Sequence, residues 1–403
     1  MTRICLVGGA VRDALLGLPI TERDWVVVGT TPEQMLAQGF KQVGRDFPVF
    51  LHPSTNEEYA LARTERKQGQ GYHGFACFSD PSITLEDDLL RRDLTINAMA
   101  QCAEGVIVDP FNGQADLKNR QLRHVSAAFS EDPLRILRIA RFAAKLAPFN
   151  FQIADETLEL MMQMIASGEL ACLTPERVWL ETVKALQTQA PQRYFEVLQQ
   201  IGALQVLMPE LSCLFSVPQE SKWHPEGDVG THSLLVLQAM RKISDDVACL
   251  WAALCHDVGK GLTPIALLPK HPNHEVNGVV LVKILSERYK IPSLVQELAM
   301  LACRWHGDIH KAQELSANQR LAVFDACDAW RKPERFMQIL LICQADSQGR
   351  LGFESELYAQ FSVWQAWLIM LSKISAQDFI VRGLQGSAIK QAIVEQRLLY
   401  LTD

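Results

Sequence analysis

No stretch of this chain approaches the roughly 20 consecutive apolar residues that a membrane-spanning helix needs, so no membrane partner is expected. The opening "MTRICLVGGAVRD" is broken by Gly8–Gly9 and Arg12–Asp13, unlike a secretory leader. Ten cysteines contain no Cys-x-x-Cys pair, which argues against a zinc ribbon. Scattered cysteines suit small buried positions in a reducing compartment, so no disulfide and a cytoplasmic location are predicted. Excess positive charge is also missing: the net charge is −7, which excludes a protein that coats nucleic acid over its whole surface but leaves room for a local basic face. Internal repeats, low-complexity tracts and the spacings of a P-loop or dinucleotide fingerprint are absent too.

What remains is a globular composition, 48% hydrophobic over 403 residues, enough for two to four domains. Up to about residue 125 the pattern alternates. Ile4–Val7, Trp25–Val28, Phe47–Leu51, Tyr59–Arg63 and Val106–Val108 read as strands, and Val11–Leu16 as a short helix. From about residue 130 the apolar spacing turns helical, as in "PLRILRIARFAAKL" and "THSLLVLQAMRKI". The fold class is therefore α+β, a mixed α/β head followed by an all-α remainder. The stretch "SVPQESKWHPEGDVG" (216–230) reads as an interdomain linker, and "RKQGQGYHGF" (66–75) is glycine-rich.

Two acids in "TERDWVVVG", Glu22 and Asp24, stand one residue apart just before an apolar run. In an extended chain both carboxylates point to one side, and paired oxygen donors suit a hard divalent cation such as Mg²⁺. Upstream, "CLVGGAVRDALLG" combines a strand, a Gly-Gly turn and a helix start, where backbone N–H groups can approach phosphate oxygens. Further along come "RRDLTINAM" (91–99) and "EDPLRILRIARF" (131–142). The latter carries Arg135, Arg138 and Arg141 at steps of three, a sloping basic stripe behind an Asp-Pro helix start.

In this order and spacing the four motifs closely resemble the class II tRNA nucleotidyltransferases, the CCA-adding enzymes. The specific match covers roughly the first 145 residues. The family usually has Asp at the first acid, whereas this chain has Glu22. The resemblance implies a polymerase-β-like head in which Glu22 and Asp24 are catalytic and hold Mg²⁺. It further implies that Gly9, Arg12, Arg92, Arg138 and Arg141 bind the nucleotide, and that Asp132 and Arg135 act as a protein template for the base. Cytosine and adenine both present a ring-nitrogen acceptor beside an amine donor, a pair that Arg and Asp can read; uracil and guanine reverse it. Gly69, Gly71 and Gly74 would belong to a flexible loop that helps one pocket pass from CTP to ATP.

A second cluster comprises His232, His256–Asp257, His271, His274, His306 and Asp346. Imidazoles and carboxylates delivered from successive helices can ligate a transition metal that activates water. Gly259, just after His256–Asp257, reads as a helix C-cap. The spacing "H…HD…D" over 232–346 resembles the HD phosphohydrolase domain, which implies His232, His256, Asp257 and Asp346 as ligands of Ni²⁺ or another divalent metal, with His256 and Asp257 catalytic. The implied division is a head at 1–125, a helical neck and body at 126–220, an HD domain at 229–350 and a helical tail at 351–403. The implied partners are tRNA, CTP and ATP, in a monomer or homodimer. Two alternatives stay open: a bacterial poly(A) polymerase, and an HD phosphohydrolase whose N-terminal region only binds RNA.

Overall fold

The short apolar run Trp25–Val28 forms the central strand of the N-terminal sheet. In the computed structural model, which describes residues 2–43, 49–67 and 75–402, the strands are β1 (Arg3–Val7), β2 (Asp24–Val28), β3 (Lys41–Val43), β4 (Val49–Leu51), β5 (Glu58–Leu61), β6 (Arg63–Lys67), β7 (Phe75–Ser79), β8 (Ala100–Gln101) and β9 (Ile107–Val108). Seven of them form one mixed sheet in the order β3-β4-β5-β2-β1-β8-β9, with β2 at its centre. Val26 packs with Cys5, Val7 and Leu89 on one face, while Val27 packs with Met35, Phe50 and Tyr59 on the other. Apolar residues on both faces explain why β2 reads as a continuous run rather than as an alternation. β6 and β7 pair as a separate two-stranded ribbon. The glycines 69, 71 and 74 lie outside the described residues.

Cys5 and Cys102 form a disulfide, against the prediction of none. β1 and β8 are antiparallel neighbours with Leu6 opposite Gln101, and one further step of that register sets Cys5 opposite Cys102, with Cα atoms 4.1 Å apart. Their sequence separation of 97 conceals this in the sequence.

The chain divides into two compact units, residues 1–185 with 196–207, and residues 186–195 with 208–403. In the first, helix α1 (Gly9–Leu15) follows β1, and α2 (Leu134–Leu146) is buried nearly all round. Only the face of α2 bearing Arg138, Arg141 and Lys145 stays partly open, at helical spacings of three and four. Helix α3 is Pro175–Leu186.

The second unit is helical. Its site-bearing helices are α4 (Val229–Ile243), α5 (Val247–Cys255), α6 (His274–Tyr289), α7 (Ser293–His310), α8 (Pro333–Gln348) and α9 (Ala359–Leu371). α5 packs on α4 and α7, while α6 packs on α7 and on the turn Val258–Leu262. Gly259 sits within that turn rather than capping α5. A Cβ there would overlap the His274 carbonyl and the Gly278 amide, so the glycine permits the close approach of α6. Residues 216–230 lie inside this unit and are no linker: Val229 N–H donates to the Val217 carbonyl and Gln219 N–H to the Gly227 carbonyl. No described helix is long and apolar enough to cross a membrane.

Candidate active sites

In the first unit a cavity of about 770 Å³ opens over the ends of β1, β2 and β5. Such a volume falls in the range of small-molecule sites. β2 begins only at Asp24, so Glu22 occupies the irregular segment before it, although both acids line the cavity. The in-register neighbour of Asp24 is Glu58 on the parallel strand β5, and Glu58 lines the cavity as well. Sequence reasoning missed Glu58; its only trace is an acid at the start of the strand-like segment Tyr59–Arg63. Burial raises the Asp24 carboxyl pKa; Arg92 opposes the shift and Glu22 adds to it. A carboxylate that lines the cavity with a second acid beside it fits a divalent cation.

Gly8, at φ 71°, ends β1, and a Cβ there would come within 2.9 Å of Arg92 Nη1. The turn thus brings β1, Gly9 and Arg92 to one wall. Each neighbouring arginine is held by a polar or acidic partner. Arg12, 2% exposed, donates to Asn97 Oδ1 at 2.6 Å and to Asp13 Oδ1 at 2.8 Å. Arg92 donates to buried Asp88 at 3.2 Å. Arg138 meets Asp93 Oδ2 at 2.7 Å, and Arg141 donates to Glu181 Oε2 at 2.6 Å. Burial alone would raise the Asp93 pKa, but Arg138 and Asn97 hold its carboxyl well below the usual range. Asp88, Asp93, Asn97 and Glu181 were not legible as site residues, because their role is to hold the arginines.

Asp132 and Arg135 both line the cavity. Asp132 accepts from the Leu134 amide at 3.0 Å through one oxygen and from Arg177 at 2.8 Å through the other. Arg135 is 8% exposed and donates to the carbonyls of Ala128, at 2.8 Å, and Arg91, at 2.7 Å.

In the second unit the donor atoms of His232, His256 and Asp346 converge, as do those of Asp257, His274 and His306. Hydrogen bonds set the tautomers. The Nδ1–H of His256 donates to the Ala253 carbonyl at 2.8 Å, that of His274 to His271 at 2.7 Å, and that of His306 to Ala302 at 3.0 Å. A carbonyl only accepts, so in the neutral rings Nε2 carries the lone pair on the inner side. His274 and His306 then oppose Nε2 to Nε2 at 3.3 Å, which a proton or a cation between them relieves. His256 Nε2 and Asp257 Oδ1, both buried, lack a well-directed hydrogen bond. These inward-facing donors fit a transition metal.

Electrostatics agree. Burial pushes the His256 pKa down, but Asp257 and Asp346 outweigh it and raise it to about 10. Both carboxyls lie well below the usual range despite burial, Asp257 chiefly through Lys260 and His256, Asp346 chiefly through His256 and His232. Lys260 reaches Asp257 Oδ2 at 2.6 Å and donates to the side-chain Oε1 of Gln219 at 2.8 Å. His232, fully buried, has Nε2 3.0 Å from Asp346 and Nδ1 2.7 Å from Glu226, whose side chain is also fully buried. Glu226 and Lys260 escaped the sequence reading, Glu226 because residues 216–230 were read as a linker. His271 stands apart, its ring against Thr263 and the Pro218 carbonyl.

Comparison with known proteins matches three family models along the chain. Residues 4–123 match the poly A polymerase head domain, residues 150–214 the probable RNA and SrmB-binding site of polymerase A, and residues 229–330 the HD domain. A multifunctional CCA protein of Hahella chejuensis is 55% identical over 98% of this chain and 93% of its own length. One of Actinobacillus pleuropneumoniae serotype 5b is 54% identical over 98% of this chain and 97% of its own. Among solved structures, a CCA-adding enzyme in its apo form II aligns with a TM-score of 0.67 at 19% identity, over 100% of this chain and 88% of that one. The complex of a CCA-adding enzyme with ATP aligns at 0.65 and 20% identity, over 100% and 86%. These structural likenesses show a shared fold. With more than half of its residues identical to such relatives across nearly its whole length, the chain belongs to the family of multifunctional CCA proteins.

Proposed function

We propose that this protein builds and repairs the 3′-terminal CCA of tRNA from CTP and ATP without a nucleic-acid template, releasing pyrophosphate, and that it does so in the cytoplasm. Its HD domain is assigned phosphatase, 2′-nucleotidase and 2′,3′-cyclic phosphodiesterase activity. The observation that carries the first assignment is the cavity that sets Asp24, Glu22 and Glu58 against Arg12, Arg92, Arg138 and Arg141. A magnesium ion held by Glu22 and Asp24 would neutralise charge at the α-phosphate and make the primer 3′-hydroxyl more acidic.

The arginines bind the triphosphate and hold it in line with the primer. The 3′-oxygen forms a bond to the α-phosphorus, the α–β phosphoanhydride bond breaks, and pyrophosphate leaves against Arg138 and Arg141, which absorb its developing charge. Asp132 and Arg135 read the amine and the ring nitrogen of the base. In the HD domain, His232, His256, Asp257 and Asp346 hold the metal, joined by His274 and His306. Nickel or another divalent metal bound there would activate water toward a phosphate ester. Lys260 offsets the charge of the carboxylates, and Glu226 fixes the His232 ring.

Incubating tRNA that lacks CCA with each labelled NTP in turn tests the assignment. CMP alone enters first, and AMP enters only after two C residues. Extension from ATP alone would mean a poly(A) polymerase, and no incorporation an RNA-binding region. Arg135→Ala in the same assay relaxes rejection of UTP and GTP at a cost of about 1–3 kcal/mol in base recognition. A variant that stays fully selective would reduce Asp132 and Arg135 to a helix start.

Metal binding at the HD site should depend on pH. With its pKa raised to about 10, His256 is protonated in the metal-free protein at neutral pH and must lose that proton to ligate. Between pH 6 and 9 the apparent affinity for Ni²⁺ therefore rises by about tenfold per pH unit for each proton released. A flat profile in titrations against a competing chelator of known pH dependence would contradict His256 as a ligand.

A further inference from the structure

We propose that Tyr358, which lies beyond the residues matched to the HD domain, is a positioning residue of the HD site: it orients Asp346 through His310. The inference rests on the metal set assigned above. Asp346 turns its two oxygens to different tasks. Oδ1 faces the ligand cluster, 3.0 Å from His232 Nε2 and 3.6 Å from His256 Nε2, while Oδ2 lies 2.7 Å from His310 Nε2.

The opposite ring nitrogen of His310, Nδ1, is 2.9 Å from the Tyr358 hydroxyl. An ionised carboxylate only accepts, so the proton of this pair belongs to His310 Nε2. In the neutral ring Nδ1 then accepts from the Tyr358 O–H. The result is a directed chain, Tyr358 to His310 to Asp346, that fixes one tautomer and one carboxylate orientation.

The start of α9 braces the same place twice more. Gln360 donates to the His310 carbonyl at 3.3 Å, and Trp364 Nε1–H donates to the Ile309 carbonyl at 2.9 Å. Tyr358 is 6% exposed and Trp364 fully buried, so this contact is packed rather than draped over the surface. Ligand carboxylates and imidazoles commonly depend on such outer partners, whose removal weakens metal binding by about 10–100-fold.

The test uses full-length protein stripped of metal and titrated with Co²⁺, whose visible absorption reports ligand geometry. Tyr358→Phe should weaken Co²⁺ binding by about 10-fold or more and alter the absorption bands, with far-UV circular dichroism and CMP incorporation unchanged. Combined with His310→Ala, it should add no further loss, because its effect passes through His310. Binding within twofold of wild type with an unaltered spectrum overturns the proposal, as do two losses that simply add. Should Tyr358→Phe fail to fold, His310→Ala decides alone, and unchanged Co²⁺ affinity overturns the proposal. His256→Ala serves as the control. If it too leaves Co²⁺ binding intact, the metal-site reading has failed; if it abolishes binding while Tyr358→Phe changes nothing, only the positioning role has.

Discussion

Asp24→Ala should remove CMP and AMP incorporation, a loss on the order of 10³-fold or more, the scale of deleting a strong electrostatic stabiliser. Hydrolysis of phosphate esters by the HD domain should stay near wild type. His256→Ala and Asp257→Ala should give the mirror image, with hydrolysis lost and nucleotide transfer retained. The reason is that the two chemistries draw on different donors in different units: Asp24 at the head of β2, and His256–Asp257 at the end of α5. Assaying both activities on each purified variant checks this. Loss of both activities from one substitution in a protein that stays folded would refute two independent sites.

Gly259→Ala carries the second large effect, on stability. The added methyl group would overlap backbone, the His274 carbonyl and the Gly278 amide, which cannot rotate away as a side chain can. Overpacking typically costs about 1–3 kcal/mol, and a backbone clash should fall at or above the top of that range. Because His274 starts α6 and its Nε2 is a candidate metal donor, the displacement of α6 should also weaken Ni²⁺ binding. Thermal unfolding monitored by circular dichroism, with and without Ni²⁺, measures both. An unchanged melting temperature would show that α6 moves aside at no cost.

Local pattern revealed the strand at Trp25 and the helices after residue 130, because a short apolar run and a 3.6-residue period are written in neighbouring residues. The acids of "TERDWVVVG" and the "HD" pair were legible for the same reason. What the sequence hid depends on long-range register. Glu58 becomes a site residue only when β5 pairs with β2, and the Cys5–Cys102 disulfide only when β8 pairs with β1. Glu226 and His224 looked like linker residues because proline and glycine flank them, yet Glu226 lies buried against His232. Gly259 was read as a helix cap, although its function is to let another helix approach.

The pairing of the cavity arginines bears on turnover. A guanidinium already engaged by a carboxylate, as Arg138 is by Asp93 and Arg141 by Glu181, stands aligned before the nucleotide arrives, so little side-chain freedom is lost on binding. The same partner tempers its hold on phosphate. Four unpaired arginines would trap pyrophosphate, a product that carries as much charge as the substrate's own tail. Under the proposed assignment, arginines that can fall back on their own acids would give that product up and leave the cavity ready for the next nucleotide.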